Sequence, residues 1–456
     1  MDLRARSALW LGAALASLAA AADEPQVVEK AAAAAQGWEL LTGKAYLPAD
    51  FDQEVFDQLW TVWPPELRER ARGATPAERR RMAFSRYGLI EHPERNGRGP
   101  ALGYVDDGRQ GWVMNCLTCH GGKVAGQVIP GLPNSHLALE TLIEEVRAVK
   151  LRMGKPLAHM DLGSLRMPLG TSIGTTNSVM FGVALEALRD RDMRFTLPPR
   201  PPRLLHHDLD APPWWNVRKK SRLYYQGLVR KQPRPLMQFV LVPENGPETL
   251  RAWEPDFAKI LAWIETLEPP RYPGPIDEPL AARGRAVFER HCAKCHGTYG
   301  TEEEYPELVV PLEVVGTDPV RQQALPDEYH RKFQESWLAE YEGYKPPAVR
   351  GYVAPPLDGI WASAPYLHNG SVPTLWHLLH PQQRPRAWKR TEDGYDRQRV
   401  GLEIQVSESV PEGLTPAERR TWFDTARRGK SASGHDFPEK VPLEERPSLL
   451  EYLKTL

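Results

Sequence analysis

Apolar residues recur at helical spacing in several stretches of the chain, and these stretches predict its main elements. At residues 75–78 a threonine cap, a first-turn proline and an acid predict the start of a helix that runs to about Tyr87. Similar signals predict further helices at residues 52–60, 137–151, 174–188, 256–267, 281–290 and 447–456. Residues 91–111, which are rich in glycine, proline and aspartate, are predicted to form a loop.

The same pattern, Cys-x-x-Cys-His, occurs at residues 116–120 and again at residues 292–296. All four cysteines of the chain belong to these two copies: Cys116, Cys119, Cys292 and Cys295. This pattern attaches c-type haem, because the thiols bond to the porphyrin and the next histidine binds the iron. A zinc site or a redox dithiol is the alternative, but neither needs a histidine after the second cysteine in both copies. We therefore predict two covalently bound haem c groups, with His120 and His296 as proximal ligands.

The N-terminus has the three parts of a secretory signal. Arg4 and Arg6 precede a short apolar run, and three alanines lie before Asp23, which predicts a signal peptide at residues 1–22. No integral membrane span is expected after cleavage. The formal net charge of −1 argues against a nucleic-acid partner. We expect a periplasmic or secreted protein.

The end of the chain echoes an earlier segment, since residues 452–456 resemble residues 263–267. An entry helix, a haem motif, a long middle segment and a closing helix would then occur twice, as in class I cytochrome c domains. The expected fold is mostly α, with two class I cytochrome c-like domains in tandem and long loops. The domains would span residues 76–275 and 276–456, after an N-terminal leader at residues 23–75.

The aromatic and basic segment at residues 203–243 lies between the two haem motifs. In a haem protein this composition predicts a wall beside the porphyrins, with cations meeting the haem propionates. Trp214 and Trp215 are its most prominent aromatic pair.

The ligands opposite the proximal histidines differ between the two haems. Met237 is the last methionine, so the second domain itself has no methionine to pair with His296. Five histidines are the candidates there: His330, His368, His377, His380 and His435. His435 follows a run of small residues at 429–434 that is able to fold tightly over a porphyrin face. For the first haem the methionines and histidines after residue 120 leave both a six-coordinate and an open iron as alternatives.

Residues 364–372, Ala-Pro-Tyr-Leu-His-Asn-Gly-Ser-Val, resemble a signature of bacterial dihaem cytochrome c peroxidases. With the following Pro-Thr-Leu and the later Gly-His loop, the chain resembles the rubber-oxygenase branch of that superfamily. The resemblance covers residues 75–456 and implies that His435 is the second axial ligand of the second haem. Residues 224–227 are similar to the family segment whose tryptophan lies between the haems. Tyr225 stands at that position, with Trp214 or Trp215 as substitutes.

The resemblance also implies roles for residues around the first haem. Phe239 falls at the place of a phenylalanine that covers the open iron in the oxygenase branch. Glu244 is nearest to the acid–base glutamate of the peroxidases. Asn177, Ser363 and Pro365 match positions that hold one calcium ion in the peroxidases.

The leading hypothesis is an exported dihaem redox enzyme. It would activate peroxide or dioxygen at the His120 haem, with the His296/His435 haem as electron relay. A non-catalytic dihaem electron carrier and a cytochrome subunit of a dehydrogenase are the alternatives. The expected partners are a small redox protein or another electron donor or acceptor, and a small-molecule oxidant or substrate.

Overall fold

The computed structural model describes residues 24–198, 204–325, 327–346 and 350–456, so the signal peptide predicted at residues 1–22 lies outside the described residues. The earlier helices are α1 (Glu24–Gly43), α2 (Gln53–Gln58), α3 (Pro65–Arg72), α4 (Pro76–Tyr87), α5 (Leu117–His120), α6 (Leu139–Met153), α7 (His159–Arg166), α8 (Ser178–Ala187) and α9 (Pro247–Ile264). The later helices are α10 (Glu278–His291), α11 (Ala293–His296), α12 (Leu312–Val315), α13 (Val320–Ala324), α14 (Asp327–Glu335), α15 (Leu375–Leu379), α16 (Pro416–Arg420) and α17 (Arg446–Leu453).

Short strands are interspersed among these helices. They are β1 (Phe51–Asp52), β2 (Tyr104–Asp106), β3 (Gly111–Met114), β4 (Gly121–Val124), β5 (Gln127–Pro130), β6 (Thr175–Thr176), β7 (Leu209–Asp210), β8 (Arg222–Leu223), β9 (Val229–Arg230), β10 (Val309–Pro311), β11 (Gly351–Val353), β12 (Ala387–Asp396), β13 (Gly401–Ser407) and β14 (Trp422–Asp424). Turns of 3-10 helix occupy Leu59–Val62, Trp214–Lys219, Arg234–Val240, Ile360–Ala362, Pro381–Gln383 and Phe437–Lys440.

The predicted helices are confirmed, with shifted ends. Helix α4 begins with the expected capping box, in which the Thr75 and Glu78 side chains each bind the other's backbone. Helix α9 begins nine residues before the predicted start at residue 256, because it continues through Pro255. Proline normally breaks a helix, yet Pro255 lies inside α9. Part of the predicted loop at residues 91–111 forms β2.

Two crossed helix pairs, α1 with α9 and α10 with α17, each meet at a glycine. A Cβ atom added to Gly37 would lie 2.0 Å from the backbone oxygen of Lys259. One added to Gly284 would lie 1.9 Å from the backbone oxygen of Ser448. The closing helix of the first half therefore packs against α1, which belongs to the segment predicted as a leader. The domain boundaries drawn from the sequence stay a prediction.

The expected fold of two tandem class I cytochrome c-like domains, mostly α, is wrong. Helix makes up 42% of the structure and strand 14%, so the chain is a mixture of both. Antiparallel sheets occur in both halves, ordered β1-β3-β2 near the start and β13-β12-β14 near the end. The ten-residue strand β12 comes from a mostly polar and charged segment without a period-two apolar pattern, and no strand was predicted there.

The three largest buried clusters among the described residues account for most of the apolar core. The first joins α1 and α9 to the segment around Cys116, and the second joins α10 and α17 to the segment around Cys292. The third packs Phe56 and Trp63 of the predicted leader against α4 and α6. The leader is thus part of the folded core. Among the described residues, no helix has the length and apolar character needed to cross a membrane.

The α1–α9 contact is tested by replacing Gly37 with alanine. The new methyl group meets a backbone carbonyl that cannot rotate away, so we expect the free energy of unfolding to fall by about 1–3 kcal/mol. Gly43→Ala in the same helix is the matched control, because its added Cβ meets nothing within 4 Å. Urea unfolding of both variants measures the difference, and equal stabilities would contradict the close crossing.

Candidate haem sites

Each Cys-x-x-Cys-His motif forms a single helical turn. In the first, the backbone N–H of His120 donates to the carbonyl of Cys116 at 3.1 Å; in the second, that of His296 donates to Cys292 at 3.0 Å. This turn brings residues one and four of each motif onto neighbouring positions of one helical face. The four thiols are half-buried and none forms a disulfide. Burial raises the pKa of Cys116 to about 11 and that of Cys119 to about 12.

Both proximal histidines are oriented by a proline carbonyl. His120 Nδ1 lies 3.1 Å from the Pro212 oxygen, and His296 Nδ1 lies 2.8 Å from the Pro355 oxygen. An Nδ1–H that donates to a carbonyl leaves Nε2 unprotonated, which is the form that binds a metal. The surrounding protein lowers the pKa of His120 to about 4 by desolvation and also lowers that of His296. Both imidazoles are therefore neutral at physiological pH and fit haem iron.

A second histidine faces His296. The ring centroids of His296 and His435 are 6.1 Å apart, with their planes inclined by 62°. Two imidazoles that bind one metal from opposite sides through bonds of about 2 Å have centroids about 6 Å apart. Desolvation lowers the pKa of His435 to about 3, with the nearby His296 adding to the effect. The structure thus brings together the pair that the sequence proposed.

The loop that carries His435 is held from three sides. The backbone N–H of His435 donates to the carbonyl of Val315 in α12 at 2.6 Å, and Gly434 lies directly against the Gly316 backbone. Arg384 donates to the carbonyls of Ala432 at 2.6 Å and Gly434 at 2.7 Å. His435 itself has a φ of +52°, an uncommon conformation for a side chain with a Cβ. The fold therefore keeps the imidazole in place through its neighbours.

The motif at residues 364–372 also supports this loop. The Asn369 amide donates to the carbonyls of Gly429 at 3.2 Å and Ser431 at 3.0 Å. Lys430, in the same loop, forms a buried ion pair of 2.7 Å with Asp208 of the first half. The signature thus stabilises the backbone that carries His435.

Trp214 and Trp215 point into different cores. The Trp214 ring stacks on His120 with centroids 4.5 Å apart and belongs to the first cluster. Trp215 belongs to the second cluster and donates from Nε1 to the Asp358 carbonyl at 2.6 Å. Asn216, next in the chain, donates to the Pro356 carbonyl at 3.0 Å. One 3-10 turn thus contacts the surroundings of both proximal histidines.

Tyr225 lies in a buried aromatic group. Its hydroxyl donates to the Asp210 carbonyl at 2.9 Å, and its ring meets Tyr352 and His368 edge-on at 6.5 Å and 6.4 Å. Its carbonyl accepts from the N–H of Val353 at 2.7 Å, which joins the two halves of the chain. A role of Tyr225 in electron transfer stays a prediction.

Phe239 and Glu244, the residues proposed beside the first iron, differ in burial. Phe239 is half-buried in the turn Arg234–Val240, whereas Glu244 is exposed beyond that turn. Gln238, beside Phe239, accepts from the Tyr224 hydroxyl at 2.9 Å and donates to the Tyr329 hydroxyl at 2.8 Å. The catalytic roles of Phe239, Glu244 and Tyr225 stay predictions.

Calcium binding likewise stays a prediction. Asn177 is buried, and its amide donates to the Pro168 carbonyl while its side-chain oxygen has no hydrogen-bond partner. Ser363 is buried and its hydroxyl contacts the Gly359 carbonyl at 3.5 Å; Pro365 lies next to Gly370. Within the described part of the chain, no group of three or more histidine, cysteine or acidic side chains is arranged to hold a metal ion.

Several site residues were missed from the sequence. Pro212 and Pro355 orient the proximal histidines, and Arg384 and Asn369 hold the His435 loop. A signal for the prolines was present, because each is the first proline of an Ala-Pro-Pro triplet that follows one haem motif. A residue before proline is restricted to extended backbone, which fixes the direction of its carbonyl.

Comparisons with known proteins found one matching family profile and two relatives. A protein-family profile described as RoxA-like, cytochrome c-like matches residues 351–389. The chain is 30% identical over 255 residues to the uncharacterized protein y4iM of Sinorhizobium fredii, covering 50% of this chain and 56% of that protein. It is 30% identical over 260 residues to the uncharacterized protein y4iJ of the same organism, covering 42% of this chain and 41% of that protein. The chain thus spans about half the length of the curated relatives it matches.

The matched segment supports a RoxA-like, cytochrome c relationship and, with it, haem c binding. It contains Pro355, Asn369 and Arg384, which orient His296 and the His435 loop. The match is short and lies in the second half, so it gives no support to two tandem class I cytochrome c domains. The coarse conclusion is a haem-containing redox protein.

The support of the His435 loop is tested by Arg384→Met. Each buried carbonyl left without its donor costs about 1–3 kcal/mol, so we expect lower stability and a smaller low-spin fraction at the second haem. Electron paramagnetic resonance (EPR) of the oxidised protein measures that fraction. Arg386→Met is the control, because Arg386 is exposed two residues away. An unchanged low-spin signal in Arg384→Met would refute the supporting role.

Proposed function

We propose that the chain is an exported dihaem c-type cytochrome that acts as a redox enzyme. Peroxide or dioxygen would be activated at the haem of His120, with electrons relayed through the haem of His296 and His435. The observation that carries this proposal is the asymmetry of the two motif histidines. His296 faces the imidazole of His435, with the ring centroids 6.1 Å apart, whereas the aromatic ring that stacks on His120 is that of Trp214.

Three of the histidines that follow the first motif are engaged elsewhere. His159 lies 3.5 Å from Asp50, and His206 lies 2.9 Å from Asp208. His136 contacts Arg390 at 2.8 Å. These contacts support a first iron with an open position, the condition for oxidant binding.

When bound, haem supplies one-electron transfer at a six-coordinate iron and oxidant activation at an iron with an open site. The protein residues around each site would determine which of these two functions its haem has. Pro212 and Pro355 keep the Nδ1 proton on each proximal imidazole. The His435 loop fills the far side of the second site, and the apolar cluster around Cys116 and Trp214 keeps water from the first.

A buried acid lies behind the turn that carries Phe239. Glu186 of α8 is only 1% exposed, and burial raises its pKa to about 8, although the Tyr329 hydroxyl and Lys332 act to lower it. Tyr329 in turn accepts from the Gln238 amide. A carboxyl that keeps its proton at neutral pH is suited to proton supply. Glu186 supports the proposal better than the exposed Glu244.

The remaining elements of the proposal rest on resemblance. Similarity to dihaem cytochrome c peroxidases and their rubber-oxygenase branch supports oxidant chemistry. The signal-like N-terminus supports a periplasmic or secreted location. The partners proposed are a small redox protein or other electron donor or acceptor, and a small-molecule oxidant or substrate.

The proposal is tested by low-temperature EPR of the oxidised protein with its haem content measured. We expect one high-spin signal from the His120 site and one low-spin signal from the His296/His435 site. His435→Ala should convert the second signal to high-spin, because it removes one axial ligand. His380→Ala is the control, since His380 stacks on Trp376.

Two low-spin signals in both the oxidised and half-reduced protein would contradict the enzyme reading and indicate an electron carrier. A low-spin second haem that persists in His435→Ala would contradict the ligand assignment. Protein with fewer than two covalent haems would overturn the dihaem proposal.

A further inference from the structure

Arg321 is a buried cation without a counter-charge. It lies in α13 with 2% of its surface exposed. Its Nη2 donates to the Gln226 side-chain oxygen at 2.8 Å, while Nε and Nη1 have no hydrogen-bond partner in the described part of the chain. None of the ion pairs formed among the described residues includes it. Burying an unpaired guanidinium is so costly that an anion is expected beside it.

Its neighbours are other unsatisfied polar groups. The Arg321 guanidinium lies over the Tyr225 ring, 5.3 Å from the centroid, and Tyr352 is close enough to influence its pKa, which burial lowers. Four further buried polar atoms in this part of the chain also lack hydrogen-bond partners: Tyr352 Oη, Thr317 Oγ1, His207 Nε2 and His330 Nε2. Arg321 acts electrostatically on both of those histidines. Tyr352, His207 and His330 thus lie close enough to the cation to interact with it, and the buried Asp210 and Asp318 of this region form no ion pair with it.

The position of this cluster links it to the second haem site. Thr317 follows Gly316, against which the His435 loop rests. Tyr352 lies three residues before Pro355, the residue that orients His296. Arg321 is therefore attached to both segments that hold the axial histidines.

We propose that Arg321 binds the propionate carboxylates of the second haem, with the Tyr352 hydroxyl as an additional donor. The proposal rests on the second haem of the proposed function. A guanidinium donates several N–H groups to a carboxylate, and the N–H groups of Nε and Nη1 of Arg321 are unused.

Two of the basic residues in the segment at 203–243, Arg218 and Lys219, are already paired. Arg218 contacts Glu268 at 2.6 Å, and Lys219 contacts Asp358 at 2.7 Å. Their charges are neutralised by the protein itself. Arg321 is distinguished from them by burial and by its lack of an acidic partner.

The test is a spectroelectrochemical titration of Arg321→Met, which measures the midpoint potential of the low-spin haem. Loss of a positive charge beside the haem, and of the partner of a negative propionate, favours the oxidised state. We expect the reduction equilibrium constant to fall about tenfold, which is about 59 mV for one electron. Arg321→Lys, which keeps the charge, should retain most of the potential.

Arg189→Met is the matched control. Arg189 is equally buried at 1% exposure, but it donates to the backbone carbonyls of Met193 and Leu241. We expect this variant to lose stability while the potential of the low-spin haem stays unchanged. An equal shift in both variants would overturn the proposal, because the shift would then follow general loosening.

Haem content separates the proposal from the function on which it rests. Two haems with an unchanged potential in Arg321→Met would refute the role of Arg321 and leave the dihaem function intact. Fewer than two haems in the wild-type protein would refute the dihaem function itself. If Arg321→Met does not fold, resonance Raman spectra of Arg321→Lys are compared with those of the wild-type protein. The propionate bending bands must shift when the guanidinium is replaced by an ammonium. Unchanged bands would overturn the proposal.

Discussion

The hydrogen bond from a histidine Nδ1 to a proline carbonyl is the contact on which both candidate haem sites depend. It selects the tautomer of His120 and His296 and sets the direction in which each Nε2 points. The short helical turn of each motif fixes the backbone position of the histidine. The hydrogen bond to the proline carbonyl fixes the rotation of its imidazole ring. Each acceptor lies far along the chain from its histidine, so the tertiary fold completes the site.

At the second candidate site many contacts hold one histidine, His435, which is the proposed second ligand. His435 has a left-handed backbone conformation, and its neighbours are held by Arg384, Asn369, α12 and the Lys430–Asp208 ion pair. These contacts come from both halves of the chain. Because these contacts all restrict the loop to one position, the imidazole of His435 is preorganised. Little conformational entropy would then be lost on binding iron.

The local features of the chain were readable from sequence, and the long-range ones were not. The haem motifs, the capped helix α4 and the candidacy of His435 follow from short patterns and from the lack of methionine after Met237. The tandem-domain fold failed because helix periodicity says nothing of the strands that fill the intervals, such as β12 and β13. Arg321 and Arg384 were missed because a buried arginine looks like a surface arginine until its surroundings are known. The Ala-Pro-Pro triplets were visible, but only the structure shows which atoms their carbonyls meet.

The turn at Trp214–Lys219 has a consequence for the timing of electron exchange. It follows directly after Pro212, which holds His120, and its next side chains bind the loop at residues 356–358, beside the carbonyl that holds His296. The segments that orient the two motif histidines are therefore joined through this one turn, by a few covalent bonds and short hydrogen bonds. In the proposed dihaem protein this connection would limit changes in the spacing of the two haems, so the rate of electron exchange between them would depend little on motion between the halves.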